Sequence, residues 1–246
     1  MLIRAESRNG FPSKAMRAPS RPIPQVAQSP WASVQLATVV FAFSIVACTL
    51  PADLGIALAT ENGPVETLQA LLLFALAAGV WFFRLRGEDA LTTCSLTILL
   101  FAMGARELEW HKAWTGGNML KPRFYLGPAT PGAKLLAATV VLLLAIAAIY
   151  LLQRYLRGMW VGLRQRQPLA ITAATFFVVL VLSRIVDKSH FGDAPDPSIV
   201  AARLIIEEML ELVLPLLVLL GAFQHNEACA ELAVTRSVRE AGAANG

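Results

Sequence analysis

The stretch Ile199–Phe223, IVAARLIIEEMLELVLPLLVLLGAF, decides how the rest of the chain is read. A helix needs about 20 residues at 1.5 Å each to cross a hydrocarbon core of about 30 Å, and this run is long enough. It nevertheless carries Arg203, Glu207, Glu208 and Glu211. Counting back about 20 residues from Phe223 puts a membrane boundary near Leu204, so Glu207 lies ~5 Å and Glu211 ~11 Å inside it. An ionised carboxylate at such depth is costly unless paired or hydrated, so these side chains are expected to face the interior of a bundle. Arg203, Glu207 and Glu211 recur at every fourth residue and share one helix face, while Glu208 stands about 100° away from Glu207. Pro215, one turn further on, has no N–H to give and is expected to bend the helix and free a carbonyl.

Five more runs of similar character precede it: Trp31–Leu50, Val65–Phe83, Ala90–Glu109, Ala133–Leu152 and Leu169–Asp187. None shows the two-residue alternation of a strand or the polar stripe of an amphipathic surface helix. Of the 246 residues 56% are hydrophobic and only 15% charged, against about 25% charged in soluble domains, and the mean hydropathy is +0.58. The fold expected is an all-α, polytopic transmembrane bundle of six spanning helices. Thr92, Thr93, Cys94, Ser95 and Thr97 dilute the third run; such side chains can bond back to their own helix or bridge to a neighbour.

Lys and Arg favour the cytoplasmic side of a membrane. With both termini inside, the inner segments hold 13 Lys and Arg and the outer ones 8, while the acids divide 6 inside and 11 outside. Residues 1–30 carry five cations against Glu6, with five prolines, and read as a flexible basic cytoplasmic tail. Their Arg-rich composition is also that of a transit peptide, but the tail reading is preferred. Residues 31–223 form the membrane domain, 224–246 a cytoplasmic C-terminal tail, and Pro51–Pro64 an outer loop without Lys or Arg. A bacterial inner membrane is the expected location.

Four of the six helices bring ionisable groups to the outer side. The second opens with Glu61 and Glu66; the third closes on RELEWHK, with Arg106, Glu107, Glu109 and His111; the fifth closes with Arg184, Asp187 and His190; the sixth carries Arg203 and its three glutamates. Glu207, Glu211, Glu107 and Asp187 are the candidates for chemistry. Arg106, Arg184, Arg203 and Glu66 are candidates for ion pairing between helices. Arg106 with Glu109 and Arg184 with Asp187 repeat one spacing, an Arg followed three residues later by an acid. His111 and His190 with Glu207 and Glu211 offer the nitrogen and oxygen donors that a divalent metal takes, although no HExxH or HxxxH pair occurs. Asp196 before Pro197 has the form of a helix cap. The segment Lys112–Lys134, basic and aromatic among Gly and Pro, is expected to anchor at the headgroups.

Cys48, Cys94 and Cys229 fit no zinc spacing and are expected to stay unpaired. No basic surface with interleaved aromatics points to nucleic acid. No P-loop, GxSxG or GxGxxG in a strand–turn–helix context points to nucleotide or serine-hydrolase chemistry. The runs ENGPVETLQALLLF, RELEWHK, IVDKSH and IEEMLEL resemble a loosely defined set of uncharacterised bacterial multi-pass membrane proteins, over the second to sixth helices. The resemblance implies a shared outer-face site and no particular activity. Membrane ceramidase-like hydrolases also build a metal site among helix ends, but the paired HxxxH histidines of that family are missing here.

Three functions fit these residues. The carboxylates bind a cation or relay protons; or a carboxylate, with or without a divalent metal, serves a hydrolase or transferase acting on a lipid-linked substrate at the outer leaflet; or the charges only lock a structural membrane subunit together. The expected partners are the bilayer and, as ligand, a lipid or a small cation.

Overall fold

The computed structural model describes residues 28–60, 63–83, 85, 88–117, 119, 121–188 and 196–244. These contain nine helices and no strand. They are α1 (Ala32–Ala47), α2 (Ala52–Ala59), α3 (Pro64–Phe83), α4 (Ala90–Glu107), α5 (Trp110–Thr115), α6 (Pro122–Leu126), α7 (Pro131–Arg164), α8 (Pro168–Asp187) and α9 (Pro197–Ala244). Three stretches are long and apolar enough to cross a membrane: Ala52–Phe82, along which α2 and α3 lie, then the helices Pro131–Arg164 and Pro168–Asp187. The helix α1 is apolar but shorter, at 16 residues. The expected basic tail lies, up to residue 27, outside the described residues.

The helix α9 is central. It packs against α1, α2, α3 and α8, while α4 lies between α3 and α7. One apolar core joins Leu73, Ala77 and Val80 of α3 to Leu100 of α4. A second joins Val179 of α8 to Val213, Leu214 and Leu217 of α9, with Leu36 and Val40 of α1 laid against it. By contrast α7 buries little. Ala137, Ala147 and Gly162 are its buried residues, and Leu135, Leu142 and Ile146 stand exposed.

Local chemistry accounts for the helix boundaries. Asp89 caps α4 by accepting the Thr92 N–H at 2.8 Å, Thr130 caps α7 through Ala133 N–H, and Asp196 accepts the Ser198 N–H beside Pro197, as side-chain oxygens do at exposed helix starts. The small polar residues of α4 do both things expected of them: Thr93 bonds back to the Asp89 carbonyl, and Thr92 bridges to the Tyr150 hydroxyl of α7 at 3.2 Å.

Two glycines permit close approaches. A Cβ on Gly104 would lie 2.9 Å from the Phe74 ring, so the ring rests on the α4 backbone. A Cβ on Gly162 would lie 2.8 Å from that of Ala170, across the tight α7–α8 turn that Arg166 makes in the left-handed region.

The structure corrects several boundaries. The segment Pro51–Pro64, expected as an outer loop, contains α2, which has Asp53 in its first turn, where the helix dipole favours an acid. It docks on α9 through Gly55, whose missing side chain leaves room for Ile205 and Ala201. The third run stops at Glu107 because Glu109 turns the backbone left-handed at φ 51°. Finally, α9 does not end at Phe223 but continues, through Pro215, to Ala244.

Candidate functional site

At one end of the bundle the late turns of α4 and α8 meet the early turns of α9, and their charges form a continuous network. Glu211 is its hub. Buried at 6% exposure, it accepts from Arg106 Nη2 at 3.3 Å, from the Ser183 hydroxyl at 2.7 Å, and pairs with Arg184 Nη2 at 3.3 Å. Arg106 also reaches Glu107 at 3.4 Å. Arg184 pairs with Asp187 at 3.4 Å. Arg203 spans Asp187 at 3.8 Å and Glu207 at 3.4 Å, and its guanidinium donates to the Val186 and Asp187 carbonyls.

The convergence follows from helix geometry. The four-residue spacing of Arg203, Glu207 and Glu211 presents all three on one side of α9. The ends of α4 and α8 bring Arg106 and Arg184 to Glu211, while the last residue of α8, Asp187, meets Arg203. Pro215 has no N–H for the carbonyl four residues back, which is that of Glu211. The backbone at the hub therefore keeps one acceptor outside the helix ladder.

Two further glutamates belong to this end. Glu66, at the start of α3, is buried and acts electrostatically on Glu107. Glu107 itself lies within hydrogen-bonding reach of Glu211. Glu208 stands in electrostatic range of Glu211, Glu66, Glu107 and Glu207, and its Oε2 is buried without a hydrogen-bond partner. Six carboxylates are thus gathered around three guanidinium groups.

Every described ion-pair and carboxylate candidate from the sequence therefore lies at this end: Arg106, Arg184, Arg203, Glu66, Glu107, Asp187, Glu207 and Glu211. His111 sits in α5 with its side chain outside the described residues, as is the whole of His190 and of Glu61. Among the described residues no group of three or more His, Cys, Asp and Glu is placed to hold a metal ion. The shared Arg-to-acid spacing does not produce matching contacts. Arg184 pairs with Asp187, but Glu109 has left the helix and pairs with Lys112 instead of Arg106.

Sequence reasoning passed over Ser183, which is fully buried against Glu211; a hydroxyl residue directly before Arg184 was the available signal. It also passed over a second polar cluster at the opposite end. There Glu88 pairs with Arg154 at 3.6 Å and with His225 at 3.5 Å, and accepts from the Tyr155 hydroxyl. Cys229 lies 3.6 Å from His225. Asp89 pairs with Arg154 at 3.4 Å and accepts from Tyr150. The Thr92 hydroxyl, then the Thr92 N–H, hold the Asp89 carboxyl below its ordinary range. The adjacent acids Glu88 and Asp89, on the side otherwise rich in cations, were the sequence signal. Among the described residues no disulfide joins Cys48, Cys94 or Cys229.

No protein-family model, curated protein or solved structure matches the chain.

Proposed function

We propose that this is a polytopic membrane protein of a bacterial inner membrane, with six crossings and both termini in the cytoplasm, whose outer carboxylate cluster takes up a cation or relays protons. One observation carries the reading: six carboxylates gather at one end beside three arginines, four of those carboxylates ion-paired there, with Glu66, Glu107 and Glu211 buried. That many carboxylates cannot all stay ionised in a partly desolvated site without further positive charge. Protons or a bound cation supply it, and intramembrane carboxylates of this kind line ion and proton paths. The apolar lengths of α3, α7 and α8 support the crossings, and the bias of Lys and Arg supports the orientation.

The test uses proteoliposomes holding a pH-sensitive dye, with gradients of H⁺, Na⁺ or Mg²⁺ imposed. The wild-type chain is expected to move protons or the cation above the rate of empty vesicles. Glu107→Gln with Glu211→Gln should abolish that movement while the protein still inserts. Flux unchanged in this variant would overturn the reading.

A second reading, a hydrolase or transferase for a lipid-linked substrate, is favoured by an apolar cavity that reaches Arg106. Turnover of a lipid-linked phosphate by purified protein, with metal content measured in parallel, tests it. No turnover with or without added Zn²⁺ or Mg²⁺ excludes it.

A further inference from the structure

A cavity of about 490 Å³ lies between α4 and α7, within the size range of small-molecule sites. Its walls are hydrocarbon, from Ile98 and Phe101 on one side and Leu143 and Leu144 on the other. Polar atoms enter only towards its two ends. Thr97, whose hydroxyl is buried without a partner, lies nine residues before Arg106 on α4, a separation of ~13 Å along the helix. Trp114 and Met119, from the segment that follows α4, line it beside Arg106.

That segment has a charge of one sign. From Trp110 to Lys134 it contains Lys112, Lys121, Arg123 and Lys134 and no acid. Lys112 pairs with Glu109 and Lys134 donates to the Gly127 carbonyl, whereas Lys121 and Arg123 stand exposed. An apolar slot thus runs alongside α7, the helix with the most exposed hydrocarbon, and ends under a cationic rim. Water gains little in such a slot, because apolar cavities stay dry. A chain of methylene groups fills it and recovers the missing dispersion contacts.

We propose that this slot binds one acyl chain of an anionic phospholipid, whose phosphate is held by Lys121 and Arg123 with Arg106 at the inner edge of the headgroup. The assignment rests on the membrane reading and is independent of cation uptake by the carboxylates. Charge complementarity selects the occupant: Lys121 and Arg123, the exposed charges of the Trp110–Lys134 segment apart from the Lys112 that pairs with Glu109, are cations, and an anionic headgroup brings its own tail to the slot.

Trp114, 60% exposed and on the lining, reports directly. The full-length protein is reconstituted in vesicles of phosphatidylcholine doped with acyl-brominated phosphatidylcholine or acyl-brominated phosphatidylglycerol. The Trp114→Phe chain isolates the Trp114 signal from that of the other tryptophans. Brominated phosphatidylcholine should quench to some extent, and brominated phosphatidylglycerol more strongly at equal mole fraction. Each cation near an anionic headgroup is worth roughly fivefold in association, so Lys121→Gln with Arg123→Gln should remove most of the excess. Ala102→Phe, which fills the slot, should remove it too; the two surface substitutions keep the test decisive where that variant fails to fold. Equal quenching by the two lipids overturns the proposal, as does an excess that survives Lys121→Gln with Arg123→Gln. Quenching by neither lipid overturns the membrane reading itself.

Discussion

Arg106 Nη2 stands 3.3 Å from Glu211 Oε2, a contact that ties the end of α4 to α9 across 105 positions of the chain. The two helices also share hydrocarbon: Met103 of α4 lies against the cluster of Val213, Leu214 and Leu217, and Val218 of α9 lies against that of Leu73 and Leu100. The ion pair therefore adds a polar tie to an apolar contact between the same two helices.

Breaking that tie is expected to cost stability. Removing one partner of a buried pair costs about 3–5 kcal/mol, but Arg106 and Arg184 are each 37% exposed and keep Glu107 and Asp187. Glu211→Gln should therefore cost about 1–2 kcal/mol by thermal melting in detergent. A double-mutant cycle with Arg106→Gln should show coupling of roughly 0.5 kcal/mol or more. Zero coupling would mean the contact contributes nothing to the bundle.

The cap on α4 makes a pH prediction. Asp89 has a carboxyl held below its ordinary value by Thr92, then by Arg154 and Tyr150. A depressed folded-state value means that the contribution is fully present above the unfolded value, about 3.9, and is lost as pH falls from there through the lower folded-state value. Asp89→Asn keeps a capping oxygen but not the charge. It should melt below the wild type at pH 7, and the gap should close as pH drops below about 4. A gap that stays constant down to low pH would contradict the charge as its source.

Gly104→Ala sets a methyl group 2.9 Å from the Phe74 ring. Overpacking of this kind costs about 1–3 kcal/mol. Phe74→Leu, added to it, should recover part of the loss by clearing the ring. Melting temperatures of the single and double variants decide this, and an unchanged Gly104→Ala melt would refute the contact.

The Thr172 hydroxyl donates to Gln224 Oε1 at 2.8 Å, and both residues are buried. Thr172→Val keeps the shape and deletes the donor, at an expected cost of about 1–3 kcal/mol. Limited proteolysis beyond Gln224 should become faster in step. Cleavage at the wild-type rate would show that this part of α9 does not depend on the bond.

Much of this was legible along the chain. The expected run Leu169–Asp187 is α8 to within a residue, and Val65–Phe83 is α3 likewise, because a continuous apolar run bounded by Pro or charge is a local signal. The depth argument on Glu207 and Glu211 needed only the helix rise, and it pointed to residues that the structure joins to three arginines. The helix α2 was not legible. Eight residues with one acid carry no length signal, and their helix is held by α9 docking at Gly55. The cluster around Glu88 and His225 was missed for a related reason: residues after Phe223 read as a tail, although α9 carries them back beside α4 and α7.

Spacing along the backbone, then, was enough to establish an all-helical chain, most of its long helices and the shared face of Arg203, Glu207 and Glu211, since rise and periodicity are properties of each helix alone. Which arginine meets which acid was settled only by packing. Glu211 became the hub because α4 and α8 end beside it, and Glu109 dropped out because one left-handed residue turned it away. Such pairings depend on which helices become neighbours and on where each one stops, and no local pattern encodes a relationship between residues a hundred positions apart.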